Sequence, residues 1–372
     1  MTTARRVFLQ QTAAASLLAT LPAVRAQNAV AASTAGRQFD PQPGAWRTFE
    51  VTTRVDVIKP QGATQVWLPV PSVNTDWQHS LESSFSSNGE ARMADDGEEG
   101  VKMVHAQFAV GLAAPFVEVT SRVQTRNRAA DWTQKIAARD DADTLKYWTR
   151  ATALVPTDGI VLKTAQDATR GAKTDEEKVR KLYDWVVANT YREPKVRGCG
   201  EGDIKTMLET GNLGGKCADL NAIFVGLCRS LGIPARDVYG LRMVPSAFNY
   251  KELSGNPTSL KGAQHCRSEV FLKARGWVAM DPADVAKVMR QETPEWIKTT
   301  RNPVVAPVNK ALFGGWEGNW VAWNTAADVT LPGSKGPKLG FFMYPAAENS
   351  EGRFDSYAPD DFKYQITAKE IV

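Results

Sequence analysis

Alternation of apolar and polar residues dominates the first third of the chain. From Trp46 onward, Phe49, Val51, Thr53, Val55 and Val57 share one parity, and Lys59, Pro60 and Gly62 end the run. Spacing of two puts such a set on one face of a strand. The segment "ATQVWLPVP" predicts a second strand, followed by a polar loop over about 72–100. Alternation resumes at Val104, Ala106, Phe108 and Val110, and again at Val117, Val119, Ser121 and Val123. Several such runs between turn residues predict a β-sandwich-like domain over 45–130.

Near Asp140 the period becomes helical. The strongest helix is "TDEEKVRKLYDWVVANTY", where Thr174 and Glu177 form a capping box and Val179, Leu182, Tyr183, Val186 and Val187 make one face. A second helix carries Leu220, Ile223, Phe224, Leu227 and Leu231 at helical spacing and stops at Gly232-Ile233-Pro234. Strand patterns follow in "RDVYGLRM", "HCRSEVFL" and "GWVAMDP". Helices first and antiparallel strands afterwards is an α+β layout, expected over 131–290. The remainder, 291–372, holds "NWVAWN", "GFFMYP" and "KYQIT" and is expected to pack as extra strands on that second domain.

The N-terminus reads differently. Arg5 and Arg6 precede a modest apolar run from Ala13 to Leu21, and Val24 and Ala26 occupy the small-residue positions of a cleavage site. Residues 1–26 are therefore expected to be a twin-arginine export signal, followed by a flexible lead-in over 27–44. The run is too short and too weakly apolar for a membrane span, so no integral membrane segment is expected in the mature chain. The implied location is the periplasm. The full chain has a formal net charge of +4, and losing Arg5, Arg6 and Arg25 takes it to +1. No basic stripe interleaved with aromatics stands out, which argues against a nucleic-acid partner.

Chemistry concentrates in "GGKCADLNAIFVGLCRSLGIPAR", residues 214–236. Cys217 follows two glycines and a lysine at the start of a helix, where unpaired N–H groups and the positive end of the helix dipole favour a thiolate. A nucleophilic thiol needs a base and a group that orients the base. Of the three histidines, His79 and His105 fall in the first domain and only His265 belongs with Cys217. His265 opens one strand, and the next strand ends in Asp281-Pro282. Counting back through the turn "KARG" sets Asp281 opposite about 266–268, at the same end of a hairpin as His265.

These residues carry a resemblance. "GGKCADLNAIFVGLCRSLGIPARDVYG" followed by "HCRSEVFLKARGWVAMDPADV" resembles the transglutaminase-like superfamily, whose core is related to papain-type thiol enzymes. The resemblance covers about 175–285, with looser likeness in "RGCGEGD" and "FGGWEGNWVAWN". It implies Cys217 as nucleophile, His265 as general base and Asp281 as the orienting acid, with acyl transfer on amide bonds and no cofactor or metal. Lys216 and the His265-Cys266-Arg267 run depart from common forms of the motif and alter the rim that meets substrate. Hydrolysis of a peptide or peptide-like substrate, such as a cell-wall stem, is the expected activity. Transamidation of protein glutamine, or a catalytically silent binding module, are the alternatives.

The other candidates are weaker. The Cys217 N–H is the expected first oxyanion donor, with Gln264 or Trp185 as the second. Lys216, Gln264 and Cys199 are the candidates for contact with substrate, although the "RGCGEGD" loop holding Cys199 reads equally as plain loop. Cys228 sits mid-helix as a core thiol, and Cys266 alternates with His265 and so is expected to point away from the site. The cysteines lack paired metal-ligand spacing. Arg236 is a candidate anchor for a buried carboxylate, and Asp219 for a cap or a rim position. Trp316, Trp320 and Trp323 are expected in core packing, and "DDGEEG" at 95–100 as a solvated turn.

Overall fold

The computed structural model describes residues 37–58, 60–97, 100–358 and 362–371. The export-signal reading of 1–26 and residues 27–36 of the lead-in lie outside these described residues, as do Glu98 and Glu99 of the acidic turn.

The first seven strands are β1 (Arg47–Asp56), β2 (Thr64–Pro69), β3 (Gln78–Ser87), β4 (Glu90–Asp95), β5 (Lys102–Phe108), β6 (Phe116–Thr125) and β7 (Arg128–Ala129). The alternation in β1 is realised directly, with Phe49, Val51, Thr53 and Val55 buried. The loop expected over 72–100 instead contains β3 and β4. Both are edge strands with largely solvated side chains, so "SLESSFSS" has no apolar stripe to betray it.

The helical part contains α1 (Ala142–Tyr147), α2 (Gly159–Ala168) and α3 (Asp175–Asn189). In α3 the capping box is present: Glu177 N–H donates to Thr174 Oγ1 at 3.2 Å, and Thr174 N–H to Glu177 Oε2 at 3.3 Å. Then come β8 (Tyr191–Arg192), α4 (Ile204–Thr210), β9 (Gly214–Gly215) and α5 (Cys217–Ser230). Helix α5 buries every residue from Cys217 to Arg229, so it is the central helix of the domain rather than a surface one.

Three strands follow: β10 (Ala235–Arg242), β11 (Gln264–Leu272) and β12 (Gly276–Met280). After them come α6 (Pro282–Gln291), α7 (Ala306–Ala311), β13 (Phe313–Trp316), β14 (Trp320–Asn324), β15 (Ala327–Val329), β16 (Leu339–Phe341), β17 (Ala346–Asn349), β18 (Gly352–Arg353) and β19 (Lys363–Ile371). The half that holds α5 is built on a six-stranded sheet ordered β14-β10-β11-β12-β13-β7. The α+β reading is thus realised, with seven α-helices among the described residues and antiparallel sheets.

The tail does not stay on one domain. β13 and β14 join the six-stranded sheet, but β19 pairs with β1, and β17 and β18 extend the sheet holding β2. The two N-terminal sheets are therefore ordered β19-β1-β6-β3 and β18-β17-β2-β5-β4, and they bury Phe49, Val55, Leu68, Val104, Val119 and Ile366 in a common apolar cluster. Period-two patterning predicts that 363–371 is a strand; it cannot name a partner three hundred residues away. The described end of the lead-in is also not loose. Phe39 packs against Phe248 and Tyr250, and Arg37 pairs with Glu292 at 2.6 Å.

Trp316, Trp320 and Trp323 are all buried. Arg236 does anchor a buried carboxylate: its Nε donates to Glu269 Oε2 at 2.7 Å, and Arg128 on β7 holds the other carboxylate oxygen. Glu269 has only 1% of its side chain exposed, so removing it leaves two poorly solvated guanidinium groups unpaired. We expect Glu269→Ala to lower stability by about 3 kcal/mol, read as a fall in the urea midpoint.

Candidate active site

The site is assembled where the start of α5 meets the open ends of β11 and β12. Gly214 and Gly215 pair in parallel with Tyr191 and Arg192, which brings the chain straight into the first turn of α5. Asp219, on that turn, accepts N–H groups from Lys216 at 2.9 Å, Glu201 at 3.0 Å and Gly202 at 2.9 Å. It is a cap that pins the glycine-rich loop to the helix start. A Cβ at Gly200, whose φ is +88°, would run into that carboxylate, so this loop position is held to glycine twice over. The Cys199 carbonyl accepts the Ala218 N–H at 3.0 Å, completing the tie.

On the sheet side, the pairing of Ser268 with Met280 carries the register on to Arg267 and Asp281. Asp281 ends β12 and caps α6, accepting the Asp284 N–H at 3.1 Å, with Pro282 at the first helical turn. The carboxylate is fully buried, because Pro282 opens a helix here as well as ending the strand. His265 Nε2 meets Asp281 Oδ2 at 2.7 Å and Asp284 Oδ2 at 3.3 Å. Its Nδ1 is thus the ring nitrogen left for the thiol.

Cys217 is 3% exposed and His265 2%. Burial works against ionising the thiol, but hydrogen bonds from Cys199, Cys266 and His265, together with the imidazolium charge, hold it well below the usual thiol range. Burial and the Arg242 charge oppose protonation of His265, yet the carboxylates of Asp284 and Asp281 push it up to about 9. Both directions favour a thiolate beside an imidazolium. Burial and the neighbouring Asp284 charge push the Asp281 carboxyl up, while Asp284 is held well down by Arg242 and His265 against its own burial.

The six sequence candidates do not all play equal parts. Cys217, His265 and Asp281 form one contact network. Cys199 lies against Cys217, donating its thiol to the Gln264 carbonyl at 3.2 Å and accepting the Tyr344 hydroxyl at 3.0 Å. Gln264 is buried, and its side-chain oxygen is taken by the Gly262 N–H at 3.0 Å. Lys216 is partly buried at the cap position, where desolvation and Arg192 lower its pKa. Trp185 packs against the helical core and not in the cluster that holds Cys217. Cys266 is a correction. It is buried in the same apolar cluster as Cys217, Ala218 and Leu220 at the start of α5, and it interacts with the Cys217 thiol.

Several site residues were not singled out from sequence as part of the site. Asp284 stands three residues after Asp281, the spacing of a helix cap, and the pair of acids in "DPAD" was its only signal. Arg242 pairs with Asp284, and Arg267 Nε lies 3.7 Å from Asp281. Asn221 donates to the Cys266 carbonyl at 2.8 Å and to Asp281 Oδ1 at 3.3 Å, bridging helix and sheet. His265, Asp281 and Asp284 hold ligand atoms within 4.8 Å of one another, the grouping among the described residues that a cation would fit by distance. The Arg242 and Arg267 guanidiniums already bring positive charge to those carboxylates. A groove of about 400 Å³ adjoins the site, bordered by Gly200, Glu201, Met207, Gly214, Asp219 and Tyr357.

The start of α5 thus sets a thiol beside a histidine and an acid carried by an antiparallel sheet. The model of the transglutaminase-like superfamily matches residues 162–282. An uncharacterised protein of Haemophilus influenzae is 33% identical over 344 residues, covering 87% of this chain and 91% of that one. A candidate cysteine protease from Cytophaga hutchinsonii superposes with a TM-score of 0.50 at 14% identity, covering 89% of this chain and 93% of that one. The periplasmic domain of TgpA from Pseudomonas aeruginosa aligns with a TM-score of 0.34 at 14% identity over 76% of this chain and 96% of its own. The chain belongs to the transglutaminase-like superfamily.

The raised pKa of His265 has a direct consequence. With its folded value near 9, the imidazolium is present below that pH and lost above it. Asp281→Asn keeps a helix-capping side chain but removes one carboxylate. The imidazole titration, followed by NMR, is expected to move down from about 9 toward the ordinary 6.5.

Proposed function

We propose that this protein is a thiol enzyme that transfers acyl groups from amide bonds, with Cys217 as nucleophile, His265 as general base and acid, and Asp281 as the group that orients the imidazole. The observation that carries the reading is the burial of these three side chains together, with His265 Nε2 2.7 Å from Asp281 Oδ2 and the imidazole among the groups that hold the Cys217 thiol down. The Cys217 thiolate attacks the amide carbonyl, and the carbonyl carbon becomes tetrahedral. Developing charge on oxygen is met by the Cys217 N–H, which no acceptor among the described residues takes. His265 then gives its proton to the leaving amine, a thioester remains, and water or a second amine resolves it.

Asp281 and Asp284 together keep the imidazole protonated until the leaving group needs the proton. The groove bordered by Gly214, Asp219 and Tyr357 lies beside the first turn of α5 and is where we place the peptide. Water is the more available acceptor, and we assign hydrolysis of peptide or peptide-like substrates, cell-wall stems among them. The setting we assign is the periplasm, supported by the Arg5-Arg6 signal pattern. No helix among the described residues is long and apolar enough to cross a membrane.

Cys217 is expected to alkylate rapidly at near-neutral pH, and His265→Ala to lower that rate at least tenfold by returning the thiol toward its free pKa of about 8.5. Slow alkylation of the wild-type thiol would favour a silent binding module. Incubation with a glutamine-containing peptide and a labelled amine, followed by mass analysis, separates the acceptors. Hydrolysis predicts the deamidated or cleaved peptide without label, and incorporated amine would assign transamidation instead.

A further inference from the structure

The thiol of Cys199 sits at the end of a short relay. Its sulfur accepts the Tyr344 hydroxyl at 3.0 Å, lies 3.2 Å from the Gln264 carbonyl oxygen, and interacts with the buried Cys217 thiol. All four groups are buried, and the Cys199 backbone is fixed by the bond from Ala218 N–H to its carbonyl. A thiol has one proton to donate. Here it has two acceptors, the Gln264 carbonyl and the Cys217 sulfur, and they compete.

We propose that Cys199 is a positioning residue for the nucleophile, whose S–H swings from the Gln264 carbonyl to the Cys217 sulfur when that sulfur becomes a thiolate. The inference rests on the acyl-transfer reading above. No covalent bond is made or broken at Cys199. The proton that leaves Cys217 goes to His265, while the Cys199 proton stays on its own sulfur and changes only its hydrogen-bond acceptor. The Tyr344 hydroxyl occupies a Cys199 lone pair throughout, which fixes where the S–H can aim.

The direction of the charge balance agrees. Contact with the Cys217 thiolate and burial both push the Cys199 thiol well above its usual range, so it remains a donor while Cys217 ionises. This differs from a substrate contact: Cys199 is 4% exposed, and its polar neighbours are Gln264, Tyr344 and Cys217 rather than the groove. It also differs from Cys228, which is equally buried but sits mid-helix in the core, where its thiol is pushed up by burial.

The test is the pH profile of Cys217 alkylation by iodoacetamide in the full chain, with the modified peptide identified by mass. Cys199→Ala removes the donor and is expected to move the acidic limb up by about one pH unit, a roughly tenfold slower reaction on that limb. Cys199→Ser keeps an X–H donor and is expected to restore the rate to within about twofold, which a merely space-filling role would not predict. Tyr344→Phe should shift the limb in the same direction as Cys199→Ala, by less. Should Cys199→Ala fail to fold by circular dichroism, Cys199→Ser and Tyr344→Phe carry the test. A Cys199→Ala profile that superimposes on the wild type overturns the inference, as does a Cys199→Ser profile no better than alanine. His265→Ala serves as the control: if it slows alkylation while Cys199→Ala does not, this inference fails alone, and if it changes nothing the acyl-transfer reading fails with it.

Discussion

The structure depends on a buried balance of charge. Gathered at one point are three anions, the Cys217 thiolate, Asp281 and Asp284, and three cations, the His265 imidazolium, Arg242 and Arg267. Each alone would be expensive to bury, and removing one partner from such a set typically costs 3–5 kcal/mol. Together they are neutral, and the Cys217 thiolate, the imidazolium and Asp284 are held in their charged forms by their neighbours. The arrangement explains why the site needs elements from so many places. α5 brings the sulfur, β11 the histidine and Arg267, β10 Arg242, and the start of α6 both acids. Asn221 locks helix to sheet by bonding to the Cys266 carbonyl and to Asp281, so the charge balance is fixed by backbone as well as by side chains.

The parts legible from sequence are those whose signal is local. The capping box at Thr174 and Glu177, the apolar stripe of α3 and the alternation of β1 are all present in the fold. Cys217 was visible because glycines and a helix start flank it, and Asp281 because a hairpin count relates it to His265. The missing parts are those whose meaning comes from tertiary contact. Arg242 and Arg267 look like ordinary strand arginines, and nothing near Tyr344 in sequence points to a cysteine 145 residues earlier. Alternation likewise mis-aimed Cys266, since strict parity knows which face a residue takes but not which helix end abuts that face.

The polar character of β3 and β4 misled for a related reason. A strand that buries little has no apolar period, and pairing alone makes it a strand. Conversely, the lone aromatic Phe39 in a polar lead-in inserts between Phe248 and Tyr250, a contact that composition would average away.

The pairing of the last strand with the first has a further consequence. β19 lies along β1 over nine positions, from Thr48 opposite Ile371 to Asp56 opposite Lys363. The same strand reaches the loop that leads to His265, where Ile366 accepts the Leu260 N–H at 2.8 Å. During synthesis the first sheet therefore waits, one edge open, until residues 363–371 have left the ribosome. A chain stopped short of Lys363 would present β1 as an unpaired apolar edge, inviting aggregation rather than a smaller folded enzyme. Closure of the first sheet thus depends on residues 363–371.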